Sequence, residues 1–493
     1  MNLPGLARLR ALPWVGRLGR LTRRHLLIGV VLVVAVAARV VAMLGYPPIR
    51  YIPDSWSYLA AAMRMGPSRV RPAGYPAMLW LLKPFHSLVL VAGIQHAMGV
   101  GIGIMVYALL RHRFRLPGWG ATLAALPVLV SAFAIQVEHY AISDTLFTFL
   151  LTVALTLVLW RPVPAVWMCA LVGLLLAAAT LVRTEALPLV IPFLVYLVTR
   201  FRGWRTLAAG LAMGGAFAIP VLGYASWFQR ANGTFDLTTS TGVFLYARVA
   251  PFADCAKIKP PPDERRLCLQ VPVSQRQVSP YYVWHSSSPI VEMPGGQFGN
   301  LANRLGTDFA VRAIMAQPLD YLAAVWHDTW QAFSSSPNTS PYRSIYVFQA
   351  TMEPRLPAGS FYDRVLRAYN VGDPYPHVVE PYGSWIGAYQ RFVVIPGIPG
   401  PLFGLITLTG LIGVVAAWRR CGGPAVLPWL IGVMLIVEAA ATAGFDARYV
   451  QFGFWSLCVA AAIGVKEIVD RFVSTRADPA PGQTACTPDM AVP

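Results

Sequence analysis

Charge is what this 493-residue chain has least of: Asp, Glu, Lys and Arg make up only 13% of it. A soluble domain carries about 25%, so an ordinary soluble globular protein is excluded. Lysine is nearly missing and occurs only as Lys83, Lys257, Lys259 and Lys466. Acidic residues number 22 against 40 basic ones. The chain has no internal repeat, and its six cysteines show no Cys/His spacing of the zinc-binding kind. What fills the space is apolar: 56% of residues are hydrophobic and the mean hydropathy is +0.54. Long apolar runs of this kind mean an integral membrane protein with many spans.

A net charge of +18 does not by itself point to nucleic acid. In a multi-span protein the excess is topological, because Lys and Arg gather in cytoplasmic loops. A crossing needs about 20 apolar residues. Candidate spans are 25–45, 87–110, 118–136, 141–160, 164–182, 185–200, 204–227, 399–418, 424–443 and 447–466. The run 185–200 is the weakest, being short and interrupted by Pro188 and Pro192. With the N-terminus inside, Arg8, Arg10, Arg17, Arg20, Arg23, Arg24, the turn 111–115, Arg161, Arg200, Arg202, Arg205, Arg419 and Arg420 all face the cytoplasm. The resulting organisation is a cytoplasmic N-terminus (1–24), a transmembrane core (25–227) with a first outer loop (46–86), an extracytoplasmic segment (228–398), C-terminal spans (399–466) and a disordered cytoplasmic tail (467–493). The N-terminal basic-then-apolar stretch is read as an uncleaved span.

Ionisable residues collect at the outer turns. "RYIPDSWSYLAAA" follows directly on the first span and presents Asp54, which either caps a helix or serves chemistry. The loop around it reads as two amphipathic helices, about 55–65 and 74–83, carrying Arg64, Arg69, Arg71 and Lys83. Arginines at headgroup depth either contact lipid heads or grip phosphate bidentately. The turn "VEHYAISD" brings Glu138, His139 and Asp144, with Glu138 a candidate second acid facing the first loop. Asp144 enters a span, where charge is costly and is usually paired or functional. "RTEALP" supplies Arg183 and Glu185, a local ion pair or a phosphate clamp with its orienting partner. "GFDARYVQF" supplies Asp446, Arg448 and Tyr449 at the last outer turn. Tyr281, Tyr282 and Trp284 in the outer segment are either ordinary packing or sugar platforms. Cys255 and Cys268 lie close together in the same segment and are expected to form a disulfide.

A membrane-surface cavity that joins acids to arginines suits a lipid-linked phosphate whose polar group reacts outside. The motifs "YIPDSWSYL", "RPAGYPAMLWLL", "VEHYAISDTLF" and "RTEALP", with a large outer segment before the last spans, resemble the GT-C superfamily. These are polytopic glycosyltransferases that use polyprenyl-phosphate sugars, here similar in style to protein O-mannosyltransferases and the lipid A aminoarabinose transferase and of an actinobacterial type. The resemblance covers most of 25–228 and, more loosely, 399–466. It implies about ten transmembrane helices of GT-C type in the cell membrane. It also implies an inverting transfer from a polyprenyl-phosphate donor to a glycan, lipid or protein acceptor of the cell envelope. Asp54 would be the base, or a holder of a divalent metal, Mg²⁺ or Mn²⁺, and Glu138 a second catalytic acid. Arg64, Arg69, Arg71, Arg183, Glu185, Arg448 and Tyr449 would bind substrate. A transporter or lipid flippase, or a non-catalytic scaffold, is the other reading. A transporter would place its polar groups near the bilayer midplane.

Overall fold

The computed structural model describes residues 13–334, 348, 355–392, 400–421 and 423–476. Arg8, Arg10 and the part of the expected tail beyond Arg476 lie outside the described residues, as do parts of the outer segment, whereas 467–476, expected to be disordered, continue the last helix. Among the described residues there are helices and no named strand, only an isolated bridge between Arg50 and Tyr140.

The apolar runs became helices. α1 is Pro13–Gly45, followed by α2 (Pro53–Arg64) and α3 (Gly74–Leu82) in the first loop, close to the expected 55–65 and 74–83. Then come α4 (Leu88–Ala108), α5 (Gly118–Val130), α6 (Ala132–Glu138), α7 (Asp144–Trp160), α8 (Val166–Val182), α9 (Val190–Val198) and α10 (Trp204–Asn232). The outer segment contributes α11 (Thr241–Val249), α12 (Asn300–Ala316), α13 (Pro318–Gln331), α14 (Phe361–Tyr369) and α15 (Tyr382–Phe392). The chain returns through α16 (Gly400–Cys421), α17 (Val426–Thr442) and α18 (Ala447–Arg476).

Among the described residues four helices are long and apolar enough to cross a membrane: those at His25–Gly45, Leu88–Arg113, Trp204–Asn232 and Ala447–Phe472. The pair α5 and α6, bent by 52°, would make a fifth. Helix length therefore does not reach the expected count of ten. α7, α8 and α17 have 17 residues each. At about 1.5 Å per residue they reach about 26 Å, short of a hydrocarbon core of about 30 Å.

Close backbone approach holds the bundle together. Gly413 of α16 and Gly464 of α18 face each other, and a methyl on either would strike the backbone of the other helix. Dispersion falls off steeply with distance, so small residues at a crossing gain contact where lipid supplies no hydrophobic drive.

One large apolar core runs through the bundle, built around residues such as Leu59, Phe147, Leu176 and Phe193. A second core, with Val243, Tyr246, Leu305 and Phe309, belongs to the outer segment between α11 and α12. The Cys255–Cys268 disulfide closes a loop against this second core. The outer segment is not one separate cap, however. Leu366 and Tyr369 of α14 join the large core, and α15 lies along α1, where Gly383 touches Gly45.

Candidate active site

α2 begins at Pro53, whose fixed φ suits a first helical position. Of the two readings of Asp54, a helix cap or chemistry, the cap is not realised. Ile52 holds the cap position and its N–H donates to Ser55 Oγ at 3.0 Å. That leaves both Asp54 oxygens for other partners. Arg71 Nη2 donates to Oδ1 at 2.8 Å, and Arg448 Nη2 donates to Oδ2 at 3.1 Å. Arg71 comes from the link between α2 and α3, and Arg448 from the first turn of α18.

The ion pairs continue. Arg448 Nε lies 3.2 Å from Asp446 Oδ2, and its Nη1 lies 4.0 Å from Asp144 Oδ2. Asp144, in the first turn of α7, accepts from Arg183 Nη1 at 2.7 Å. Arg183 Nη2 also donates to Glu185 at 2.7 Å. So α2, α7 and α18 and the turn after α8 bring their charges to the same end of the bundle. Tyr449 sits against two of the cations, 5.6 Å from Arg183 and 5.3 Å from Arg448, and Phe452 lies 4.7 Å from Arg183.

Three guanidiniums, of Arg71, Arg183 and Arg448, thus face four carboxylates, of Asp54, Asp144, Glu185 and Asp446. Burial pushes the Asp54 carboxyl up, but Arg71, Arg448 and Arg183 together outweigh it and hold the group well below the usual carboxylate range. Asp54 is therefore ionised. Arg71 Nε and Arg183 Nε are buried and have no hydrogen-bond partner among the described residues. Unmet charged donors in a buried setting are costly, and an anion would satisfy them.

Two cavities meet at this cluster. One, of about 580 Å³, is bordered by Asp54, Arg448 and Asp446 and by an aromatic wall that includes Trp56, Phe244, Trp284 and Tyr362. The other, of about 380 Å³, is bordered by Arg183, Glu185, Thr238, Ser240 and Glu438. Arg71, Phe244 and Tyr449 border both. Sizes of this order are those of small-molecule sites.

Not every expected residue is here. Arg64 is exposed and lies 5.3 Å from the Phe361 ring, and Arg69 is exposed and donates to Asn232 at 3.2 Å. Glu138 does not face the first loop. It is buried and accepts from Arg39 Nε and Nη2, both at 2.7 Å, and it lies 2.9 Å from His96 Nδ1. Gly99 on α4 makes room for it, since a methyl there would overlap the carboxylate. The cause is the bend after α5, which turns α6 into the bundle where a simple outer turn was expected. Tyr282 is buried and its hydroxyl is taken by the Gln277 N–H, whereas Trp284 borders the larger cavity. Glu438 went unread in the sequence. Its signal was an acid inside an otherwise apolar helix, where ionisable residues are rare and functional by default.

A divalent metal does not fit these donors. Both Asp54 oxygens are occupied by guanidinium, and one oxygen each of Asp144 and Glu185 is taken by Arg183. Among the described residues no group of three or more His, Cys, Asp or Glu is placed to hold one.

No protein-family profile and no curated protein sequence matches the chain. Solved structures resemble it, among them these two. One is the archaeal oligosaccharyltransferase AglB from Archaeoglobus fulgidus, in complex with an inhibitory peptide and a dolichol-phosphate. It is 11% identical with a TM-score of 0.41 over 94% of this chain and 53% of that one. The other is ArnT from Cupriavidus metallidurans bound to undecaprenyl phosphate. It is 13% identical with a TM-score of 0.35 over 91% of this chain and 79% of that one. The chain spans about half the length of the oligosaccharyltransferase. A likeness this distant transfers no residue role.

Proposed function

We propose that the protein is an inverting membrane glycosyltransferase that moves a sugar from a polyprenyl-phosphate donor to a hydroxyl acceptor on the outer face of the cell membrane. The reading takes about ten crossings, with both termini cytoplasmic. One observation carries it: the Asp54 carboxylate is shared between Arg71 and Arg448 where the two cavities meet.

The charge balance sets the mechanism. With carboxylates outnumbering guanidiniums, an incoming phosphodiester has no spare cation to join. It must take an arginine away from a carboxylate. Arg71 and Arg448 turning to the phosphate would release Asp54, and loss of those partners raises its basicity. Asp54 then becomes a competent base only when the donor is in place. The acceptor oxygen attacks the anomeric carbon, and its proton passes to Asp54. The bond from that carbon to the phosphate oxygen breaks, and the electron pair leaves with the phosphate. A single displacement of this kind inverts the centre. Arg183, anchored by Asp144 and Glu185, stabilises the charge that grows on the leaving phosphate. Arg64 and Arg69, on the exposed rim, attract the anionic lipid head. The outer segment binds the acceptor, with Trp284 as a platform. No step runs through a metal.

The test is transfer by the purified protein in detergent from a polyprenyl-phosphate sugar to a soluble acceptor, with no ion gradient. Release of polyprenyl phosphate together with a glycosylated product is expected. Gradient-dependent movement of the intact donor across liposomes, with no bond cleaved, would overturn the assignment in favour of a flippase.

A further inference from the structure

Helix α13 presents an apolar stripe that none of the described residues covers. Leu319, Leu322, Trp326 and Trp330 are all exposed, Leu319 at 78% and Trp326 at 66%. Their spacing of three, four and four residues keeps them on one side of a helix. Met315, at the end of α12, is exposed as well. The two tryptophans stack with ring centroids 5.8 Å apart.

The opposite side belongs to the protein. Asp328 is nine residues beyond Leu319, which at about 100° per residue puts it roughly across the helix. Asp328 accepts from Arg248 Nη1 at 2.8 Å, and Tyr321 donates its hydroxyl to the Ala441 carbonyl at 3.0 Å, at the end of α17. Exposed Asp320 and His327 form the polar border between the two faces.

The position of α13 says what the stripe meets. Its C-terminal end runs to Phe333, which stacks on Phe403 at 5.1 Å, and the Phe333 carbonyl touches Gly400, the first residue of α16. α16 then shows Leu402, Leu405, Leu408 and Val415 to the outside. The stripe is thus continuous with the outward-facing side of an apolar helix, at that helix's outer end. An amphipathic helix with Trp and Leu on one face and polar residues at its border is the kind that lies in a bilayer interface.

We infer that α13 is an in-plane membrane-surface helix, its Leu319–Trp330 stripe sunk into the outer leaflet of the bilayer. The inference rests on the reading of the chain as membrane-spanning. The inner face of the helix supports the active site. Asp328 and Ser279 flank Gly444, which borders the larger cavity beside Asp446 and Arg448. The helix therefore fixes the depth of that cavity relative to the lipid heads, where a lipid-linked phosphate would sit.

The experiment uses the full chain in lipid nanodiscs, with Cys421 and Cys486 changed to serine and single nitroxide labels at Leu319→Cys, Leu322→Cys or Trp326→Cys. These sites are exposed, and of the three only Trp326→Cys gives up a ring contact, its stack on Trp330. Collisions with dissolved oxygen and with an aqueous nickel chelate are measured by electron paramagnetic resonance. Stripe labels should show nickel access severalfold below, and oxygen access above, that of a label at Asp320→Cys. Nickel access equal to that at position 320 would overturn the inference. Shielding from both reagents would overturn it too, in favour of a protein covering the stripe. A label at Val415→Cys separates the causes: if it meets lipid while the stripe meets water, only the surface helix is wrong, and if both meet water the membrane reading fails as well.

Discussion

Replacing Asp54 by Asn tests the base directly. The change is nearly isosteric and removes one negative charge from between two guanidiniums, at 2.8 Å and 3.1 Å. Loss of a positioned general base lowers the rate by about 10²–10⁴-fold, or about 3–5 kcal/mol of barrier. The same change removes the carboxylate that competes with phosphate for Arg71 and Arg448. Affinity for polyprenyl phosphate should hold or rise while turnover collapses. The cluster opens onto a cavity of about 580 Å³, so water can screen the two cations once they are unpaired. The stability loss should then stay near the worth of a charged hydrogen bond, about 1.5–3 kcal/mol. The assay pairs the initial rate of polyprenyl phosphate release at saturating donor with lipid-phosphate binding and thermal unfolding on one preparation. Turnover within about tenfold of the parent, a barrier change of only about 1.4 kcal/mol, refutes the base. Turnover, binding and melting temperature falling together would instead make Asp54 a strut for the arginines.

Three further outcomes follow from the same geometry. Because the folded pKa of Asp54 is depressed, the stability it contributes is fully present above its unfolded value of about 3.9 and is lost as pH falls through the folded value. Asp54→Asn should therefore lower the melting temperature by a constant amount across pH 5–8, leaving its slope there unchanged, and flatten the further acid-side loss below about pH 4. Arg183→Lys keeps the charge but cannot hold Asp144 and Glu185 in a fork, and the KM for donor should rise about tenfold or more, since a charged hydrogen bond is worth about 1.5–3 kcal/mol; an unchanged KM would remove Arg183 from the phosphate site. Glu138→Gln leaves buried Arg39 without its counter-charge and should cost about 3–5 kcal/mol in unfolding free energy, with donor KM unaltered in the folded fraction; a selective loss of turnover at normal stability would return Glu138 to catalysis.

The pairs legible in the sequence were the local ones. Arg183 with Glu185 and Arg448 with Asp446 are two residues apart, and both contacts exist. The Cys255–Cys268 bond spans 13 positions and was legible for the same reason. Glu138 misled because its neighbours in sequence suggested an exposed turn. Its partner Arg39 lies 99 positions away, inside a run that read only as apolar. Glu438 stayed hidden for the complementary reason, as one acid cannot interrupt a strong hydropathy signal.

Composition alone determined that this chain folds as apolar helices. A chain with so few charges cannot hydrate its backbone in lipid, and helices satisfy every amide within the segment. It also determined that most of the scarce charges lie near helix ends, since a lone ion within hydrocarbon is too costly, while Arg39 and Glu438 inside apolar helices are exceptions. Which charge meets which was decided only by tertiary packing. Asp54 and Arg448 are 394 positions apart, and Asp144 and Arg183 are 39 apart. Coulomb's law demands an opposite partner for a buried charge but does not name it. The crossing of α2, α7 and α18 brings these particular ends together, and that crossing is set by the shapes of the side chains between them.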